Sequence, residues 1–213
     1  MKIGVLGTGV VGQSIAGKLV SLGHDVMMGA RAPDNEKVLA FAARTGGKAG
    51  SFGDAVRHGE LIVNCTRGDG SIPALRQGAD YLDGKTVLDV SNPLDFSKGF
   101  PPTLSVSNTD SLAEMIQREF PRAHVVKTLN TVTASIMIDP AKVPGRHTVF
   151  VSGNDAAAKG QATDLLRSFG WQSIIDLGDI STARGTEQFL PLWVRLLGAL
   201  GTSEFNIAVI KAG

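Results

Sequence analysis

Cysteine is nearly missing from this chain: Cys65 is the only one among 213 residues. A single thiol cannot close an internal disulfide, so the fold needs no oxidising compartment. An excess of either charge is missing too, since 21 Lys and Arg oppose 20 Asp and Glu for a net charge of +1. Such a chain has no electrostatic grip on nucleic acid or an anionic membrane, and neither is expected as a partner. A membrane span takes about 20 consecutive apolar residues. The best stretch here, Phe189 to Gly201, is shorter and carries Pro191 and Arg195. The opening Met1-Lys2-Ile3-Gly4-Val5-Leu6 has neither the long apolar centre nor the cleavage site of a signal peptide, so the cytoplasm is the expected location. The four histidines, His24, His58, His124 and His147, are scattered without metal-ligand spacing, and no metal is expected. Neither a G-x-S-x-G elbow nor an evident carboxylate pair is present, which leaves hydrolysis without a candidate. Asn64-Cys65-Thr66 matches the glycosylation sequon, but it closes an apolar strand and reads as a chance match.

What is present points to an ordinary packed core. Hydrophobic residues make up 43% and charged residues 19%, which excludes intrinsic disorder. Glycine is abundant, 26 residues in all, and 11 of these fall before residue 54. Short apolar strands alternate with helical patterns. Strands are expected at Lys2–Leu6, Asp25–Met28, Glu60–Cys65, Lys85–Val90, Ala123–Leu129, His147–Ser152 and Gln172–Asp176. Helices are expected from Val11 to Leu22, where Gly23 stops the run, and at Asn35–Thr45, Ile72–Leu82, Asp110–Glu119 and Asp155–Phe169, with a short one capped by Ser51. Thr66-Arg67-Gly68-Asp69-Gly70 reads as a loop. This rhythm predicts an α/β fold: a doubly wound, Rossmann-type, mostly parallel sheet with a small C-terminal helical portion. Residues 1–150 would form the dinucleotide-binding domain, and 151–213 a strand-helix portion that completes the fold and an acceptor pocket or dimer interface.

The chemistry concentrates in Gly7-Thr8-Gly9-Val10-Val11-Gly12, a G-x-G-x-x-G that follows a strand and opens a helix. Gly7 permits the turn off the strand, Gly9 lets a pyrophosphate approach the backbone, and Gly12 lets helix and strand pack closely. Free N–H groups at the helix start, aided by the helix dipole, would face the anion. The plainer alternative is a glycine-rich turn that binds nothing; strand, motif and helix in that order favour the phosphate. The second strand runs to Met28-Gly29-Ala30-Arg31 and has no acid at its tip to hold a ribose 2′-OH. Arg31 instead offers a guanidinium to a 2′-phosphate, which favours NADP over NAD; stacking on adenine is the alternative role.

In a doubly wound sheet the ligand lies beyond the carboxyl ends of the strands. Three further strand ends are therefore candidates: Thr66 and Arg67, then Ser91-Asn92-Pro93, then Asn130-Thr131. Each could face the nicotinamide half or be an ordinary turn. Arg67 is a candidate second phosphate contact. Cys65 reads as a structural thiol. No side chain is assigned a catalytic role, and hydride transfer tolerates that, because the cofactor carries the chemistry and the protein supplies placement.

The segment from Lys2 to Gly12, the Gly29-Ala30-Arg31 strand end, Asn130-Thr131, and the closing Asp176-Leu177-Gly178-Asp179-Ile180-Ser181-Thr182-Ala183-Arg184 together resemble the deazaflavin-dependent NADP oxidoreductase family over essentially the whole chain. The resemblance implies hydride transfer between NADPH and an 8-hydroxy-5-deazaflavin, with Gly7 to Gly12 on the pyrophosphate and Arg31 on the 2′-phosphate. A related domain forms the NADPH-binding part of membrane metalloreductases. The chain departs from the family on the acceptor side. Thr66-Arg67-Gly68-Asp69 stands where founding members tend to be apolar with Pro and an aromatic, Asn130 stands where they have His, and Ala30 where they often have Ser. A flavin therefore stands beside a deazaflavin as the expected small-molecule electron acceptor. A cofactor-binding sensor without turnover is the alternative from another class. Hydroxyacid and imino-acid dehydrogenases share the first half, but too few residues remain here for their helical substrate domain.

Phe189, Leu190, Leu192, Trp193, Val194, Leu196, Leu197 and Leu200 spread around one helix rather than along a stripe, so that helix should be covered on more than one side. Its second side would serve a homodimer interface or a pocket wall. The cofactor choice makes a direct prediction: Arg31→Ala weakens NADPH binding about 10- to 100-fold, the worth of a charge-assisted contact, and spares NADH. Dissociation constants measured for both cofactors check this, and equal losses would reject the 2′-phosphate role.

Overall fold

The computed structural model describes residues 1–212. Runs of Val, Ile and Leu supply the strands, and the segments between them fold as helices that bury one side. The first half reads β1 (Lys2–Leu6), α1 (Val10–Ser21), β2 (Asp25–Ala30), α2 (Glu36–Thr45), β3 (Lys48–Ser51), α3 (Phe52–His58), β4 (Leu61–Asn64), α4 (Gly68–Arg76) and β5 (Thr86–Asp89). A two-stranded ribbon, β6 (Leu94–Asp95) with β7 (Thr103–Leu104), interrupts the alternation. Then follow α5 (Leu112–Glu119), β8 (His124–Thr128), α6 (Ala134–Ile138), β9 (Thr148–Gly153), α7 (Ala156–Ser168), β10 (Ser173–Asp176), α8 (Ala183–Gln188) and α9 (Leu190–Leu200).

Eight strands form one sheet in the order β10-β9-β8-β5-β4-β1-β2-β3. Neighbouring strands run parallel except β8 and β9, which are antiparallel. The strand order reverses direction between β1 and β4, so a crevice opens beyond their carboxyl ends, where doubly wound folds bind ligands. Position 150 falls inside β9, and residues 151–212 complete the same sheet.

Both faces of the sheet are covered, as its apolar strands require. On one face α1, α2, α6 and α7 bury Ile15, Leu19, Phe41, Ile136 and Leu166 against the sheet. On the other face α3, α4, α5 and α8 bury Val56, Leu75, Ile116 and Ala183. Each large apolar side chain removed from water is worth about 1.5–3 kcal/mol, so these two layers hold the fold together.

Several elements differ from the sequence reading. The helix expected at Ile72–Leu82 begins at Gly68 and ends at Arg76, so Thr66–Gly70 is a helix start rather than a free loop. Turn-forming residues lose here to tertiary packing, because α4 buries Ser71, Ala74 and Leu75. β3, α6, β6 and β7 are two to five residues long and carry too little periodicity to be read. The apolar closing segment breaks between α8 and α9 at Phe189 and stops at Gly201, whose φ is +67°. α9 buries Leu190 and Val194 and leaves Leu192 and Leu200 exposed. Beyond it the tail bonds to the start of β9, where the Thr148 N–H donates to the Ile207 carbonyl. No helix among the described residues is long and apolar enough to cross a membrane.

The approach of α3 to β1 is set by a missing side chain. A Cβ on Gly4 would lie 2.1 Å from the Ala55 carbonyl oxygen, so α3 would have to move. Gly17, inside α1, has nothing within 4 Å of such a Cβ. Gly4→Ala should therefore cost about 1–3 kcal/mol as an overpacked site, whereas Gly17→Ala should gain roughly 0.5–1 kcal/mol from helix propensity and a less flexible unfolded chain. Thermal melts of the two variants check the opposite signs.

Candidate cofactor site

The crevice at the β1/β4 reversal is a groove of two lobes that share Gly9, Cys65, Thr66 and Arg67. One lobe, about 350 Å³, is lined further by Gly7, Thr8, Arg31, Phe52 and Asp69. The other, about 270 Å³, is lined by Val10, Val11, Val90, Ser91, Asn92 and Phe96, among others. Arg31 thus sits with the glycine loop, across the groove from Ser91 and Asn92. Of the expected residues, Gly12, Pro93, Asn130 and Thr131 line neither lobe. Gly12 is buried behind the loop, and Pro93, Asn130 and Thr131 are buried behind the second wall.

The three glycines of the loop do different jobs. Gly7 has φ +113°, and a Cβ there would lie 2.7 Å from the Cys65 carbonyl oxygen. A Cβ on Gly12 would lie 2.1 Å from the Gly7 carbonyl oxygen. The chain's own packing therefore demands both. Gly9 is different. Its backbone is extended, φ −72° and ψ −179°, a conformation open to any residue, and a Cβ there would meet nothing within 4 Å. Nothing in the protein's packing requires glycine at this position, and unlike the equally open Gly17 it lines both lobes of the groove.

The helix ends repeat the theme. α2, α3, α5 and α7 have their first N–H groups capped by the side chains of Asn35, Ser51, Ser111 and Asp155. α1 and α4, like α6, α8 and α9, have no side-chain cap, and α1 and α4 start in the groove, at Gly9 and Arg67. Apart from the Gly70 N–H, which donates to the Arg67 carbonyl at 2.9 Å, their leading N–H groups are donors at the positive ends of two helix dipoles. Sequence reading found the first of these starts and mistook the second for a loop. Both fit a pyrophosphate, and the open cradle at Gly9 fits its approach.

The two arginines differ in their commitments. Arg67 is paired at 2.8 Å with Asp69, both largely exposed. Among the described residues Arg31 forms no ion pair, and its guanidinium is free for an anionic group at its end of the groove. Cys65 stands in the wall of both lobes. Its packed surroundings, and then the Asp89 carboxylate, push the thiol well above the ordinary cysteine range, so it is a neutral wall residue. Asn64, the sequon asparagine, is fully buried and donates to Asp89 at 2.9 Å.

The polar side chains expected at the strand ends are spent on one another. Thr66 donates its hydroxyl to the Asn64 side chain at 2.7 Å, and Ser91 donates its own to Asp89 at 2.6 Å. Asn92 donates to the Asn130 carbonyl at 2.9 Å and accepts from the Asn130 amide at 3.0 Å. Beneath them lies a group that sequence reading missed. Lys127 is buried between Asp89 and Glu187, with its Nζ 2.8 Å from each carboxylate. Burial alone would push this amine down, but the two carboxylates outweigh it and hold it charged, above the usual lysine range. A lysine in β8 and a glutamate ahead of an apolar helix are ordinary in the sequence, and no local signal links them.

Comparison with known proteins places these observations. The family model for coenzyme F420-dependent NADP oxidoreductases matches residues 2–93. A crystal structure from Arthrobacter sp., described as a candidate F420-dependent NADP-reductase, is 52% identical and superimposes with a TM-score of 0.95 over 99% of this chain and 100% of that one. The F420-dependent NADP reductase of Methanocaldococcus jannaschii is 28% identical across 92% of each protein. The rat metalloreductase STEAP3 is 30% identical across 94% of this chain, which spans only 39% of that protein.

Gly9 is the sharpest test of the groove. Gly9→Ala should leave the melting temperature of the empty protein within about 2 °C, since no packing is disturbed. The same change should weaken NADPH binding at least about tenfold, or 1.4 kcal/mol. Calorimetry of folding and of binding on one sample separates the two effects.

Proposed function

This chain belongs to the family of coenzyme F420-dependent NADP oxidoreductases, and from that membership we propose that it binds NADPH in the two-lobed groove and transfers hydride to a flavin-like or deazaflavin-like acceptor. The observation that carries the reading is Gly9: an ordinary backbone conformation, space for a side chain, and none present. Two uncapped helix starts support it by offering donors to a diphosphate. Arg31, unpaired at the rim of the larger lobe, supports the 2′-phosphate and hence NADP over NAD.

In this reading the chain's residues bind and orient. The loop from Gly7 to Gly12 and the start of α4 hold the diphosphate. Arg31 fixes the adenosine end. Val90, Ser91 and Asn92 wall the lobe left for the nicotinamide half, with Val10, Val11 and Phe96 completing it. Bound NADPH would supply the hydride. The protein would contribute a fixed ring position and a site shielded from water, which is where much of the rate of such a transfer comes from.

Phe96 supports a flat acceptor. It lies at the edge of the second lobe, just beyond β6, and is 53% exposed. Val10, in the same lining, is 77% exposed. An apolar rim of this kind suits a planar aromatic ring laid against the nicotinamide.

Stopped-flow oxidation of NADPH against a deazaflavin, flavin mononucleotide, ferric chelates and quinones tests the proposal. The deazaflavin or the flavin should react fastest. Phe96→Ala should raise the KM for that acceptor roughly two- to tenfold, the worth of one aromatic contact, and by a larger factor than it weakens NADPH binding. Tight NADPH binding with no turnover on any acceptor would replace the reductase reading with that of a cofactor-binding module.

A further inference from the structure

We infer that Lys127 is a positioning residue: the buried ammonium, held between Asp89 and Glu187, fixes the wall of the lobe proposed for the nicotinamide half. The inference rests on the NADPH reading above. Its first support is the pattern of bonds around Ser91. Asp89 Oδ1 accepts both the Ser91 N–H at 3.1 Å and the Ser91 hydroxyl at 2.6 Å. The Ser91 carbonyl accepts from Lys127 Nζ at 2.6 Å. All of the polar groups of this wall residue are thus tied to one buried ion pair.

The next wall residue is held from the other side. Asn92 is paired with Asn130, and the Asn130 amide also donates to the Thr186 carbonyl at 3.0 Å. Thr186 precedes Glu187, whose carboxylate takes Lys127 and the N–H groups of Leu112 and Ala113 at the start of α5. Between Lys127 and Asn130 the chain passes through Leu129 with φ +59°, a conformation a leucine holds only when its surroundings impose it. The bonded Asn130 follows directly after it.

A buried ion pair is a poor source of stability, since apolar residues of the same volume commonly do as well or better. Three charged groups under one wall are better explained by geometry. Their bonds define where Ser91 and Asn92 stand, and these two line only the lobe away from Arg31. Lys127 never reaches the groove itself, being 1% exposed. Its effect must pass through the wall.

The test compares NADPH with 2′,5′-ADP, which lacks the nicotinamide half. In Lys127→Met the affinity for NADPH should fall about tenfold or more, while that for 2′,5′-ADP should stay within roughly twofold. A merely structural role would weaken both ligands together. Because Lys127→Met leaves two carboxylates facing each other, Glu187→Gln, which keeps the Lys127–Asp89 pair, carries the same comparison in a milder variant, with an expected selective loss of about threefold. Parallel losses for both ligands, or no loss for either, overturn the inference and leave the NADPH reading standing. A wild-type protein that binds neither ligand overturns both.

Discussion

An ammonium taken out of water must be met by charge and hydrogen-bond acceptors on every side, and that demand organises the carboxyl end of this sheet. Lys127 meets it with Asp89 from β5, Glu187 from α8 and the Ser91 carbonyl. Each of those groups is then fixed in turn. Glu187 takes the leading N–H groups of α5, so it joins two helices while it neutralises a lysine. Asp89 gathers Asn64, and through it Thr66, so the ends of β4, β5 and β8 are locked in one network. Within the low dielectric of the interior such a network is rigid, because any displaced member leaves a charge unpaired.

Against this rigid polar base stands a groove made largely of backbone. Its floor is a loop in which two glycines serve the protein's own packing and a third leaves a gap. The donors it offers are main-chain N–H groups at the starts of two helices. The division is physically sensible. Side chains are slow to reach a common geometry and lose entropy when they do, whereas backbone dipoles at helix ends are already placed.

The repeated strand and helix pattern was legible because it rests on hydrophobic periodicity, which survives in a single sequence. The glycine loop and Arg31 were legible because their spacing follows a known geometry. The start of α4 was not, since Gly68-Asp69-Gly70 has the composition of a turn and only the burial of Ala74 and Leu75 makes it helical. The network of Lys127 was invisible for a different reason. Asp89, Lys127 and Glu187 stand 38 and 60 residues apart along the chain, and nothing local marks charges that meet only after folding. The same long-range bonds were unreadable at Ser91, Asn92 and Asn130: Ser91 and Asn92 do line the groove, but their side chains, like that of Asn130, are also engaged with the protein itself.

The two uncapped helix starts have a consequence for the life of the protein in a cell. Free donors at a helix end are tolerated in water but contribute nothing to the native state, while the capped helices around them do. A ligand that satisfies them binds the folded chain and has no counterpart in the unfolded one, so it shifts the folding equilibrium by mass action. At a hundredfold excess over the dissociation constant the gain is about 2.7 kcal/mol. The abundance and lifetime of such a protein would then follow the supply of whatever anionic ligand fills those helix starts.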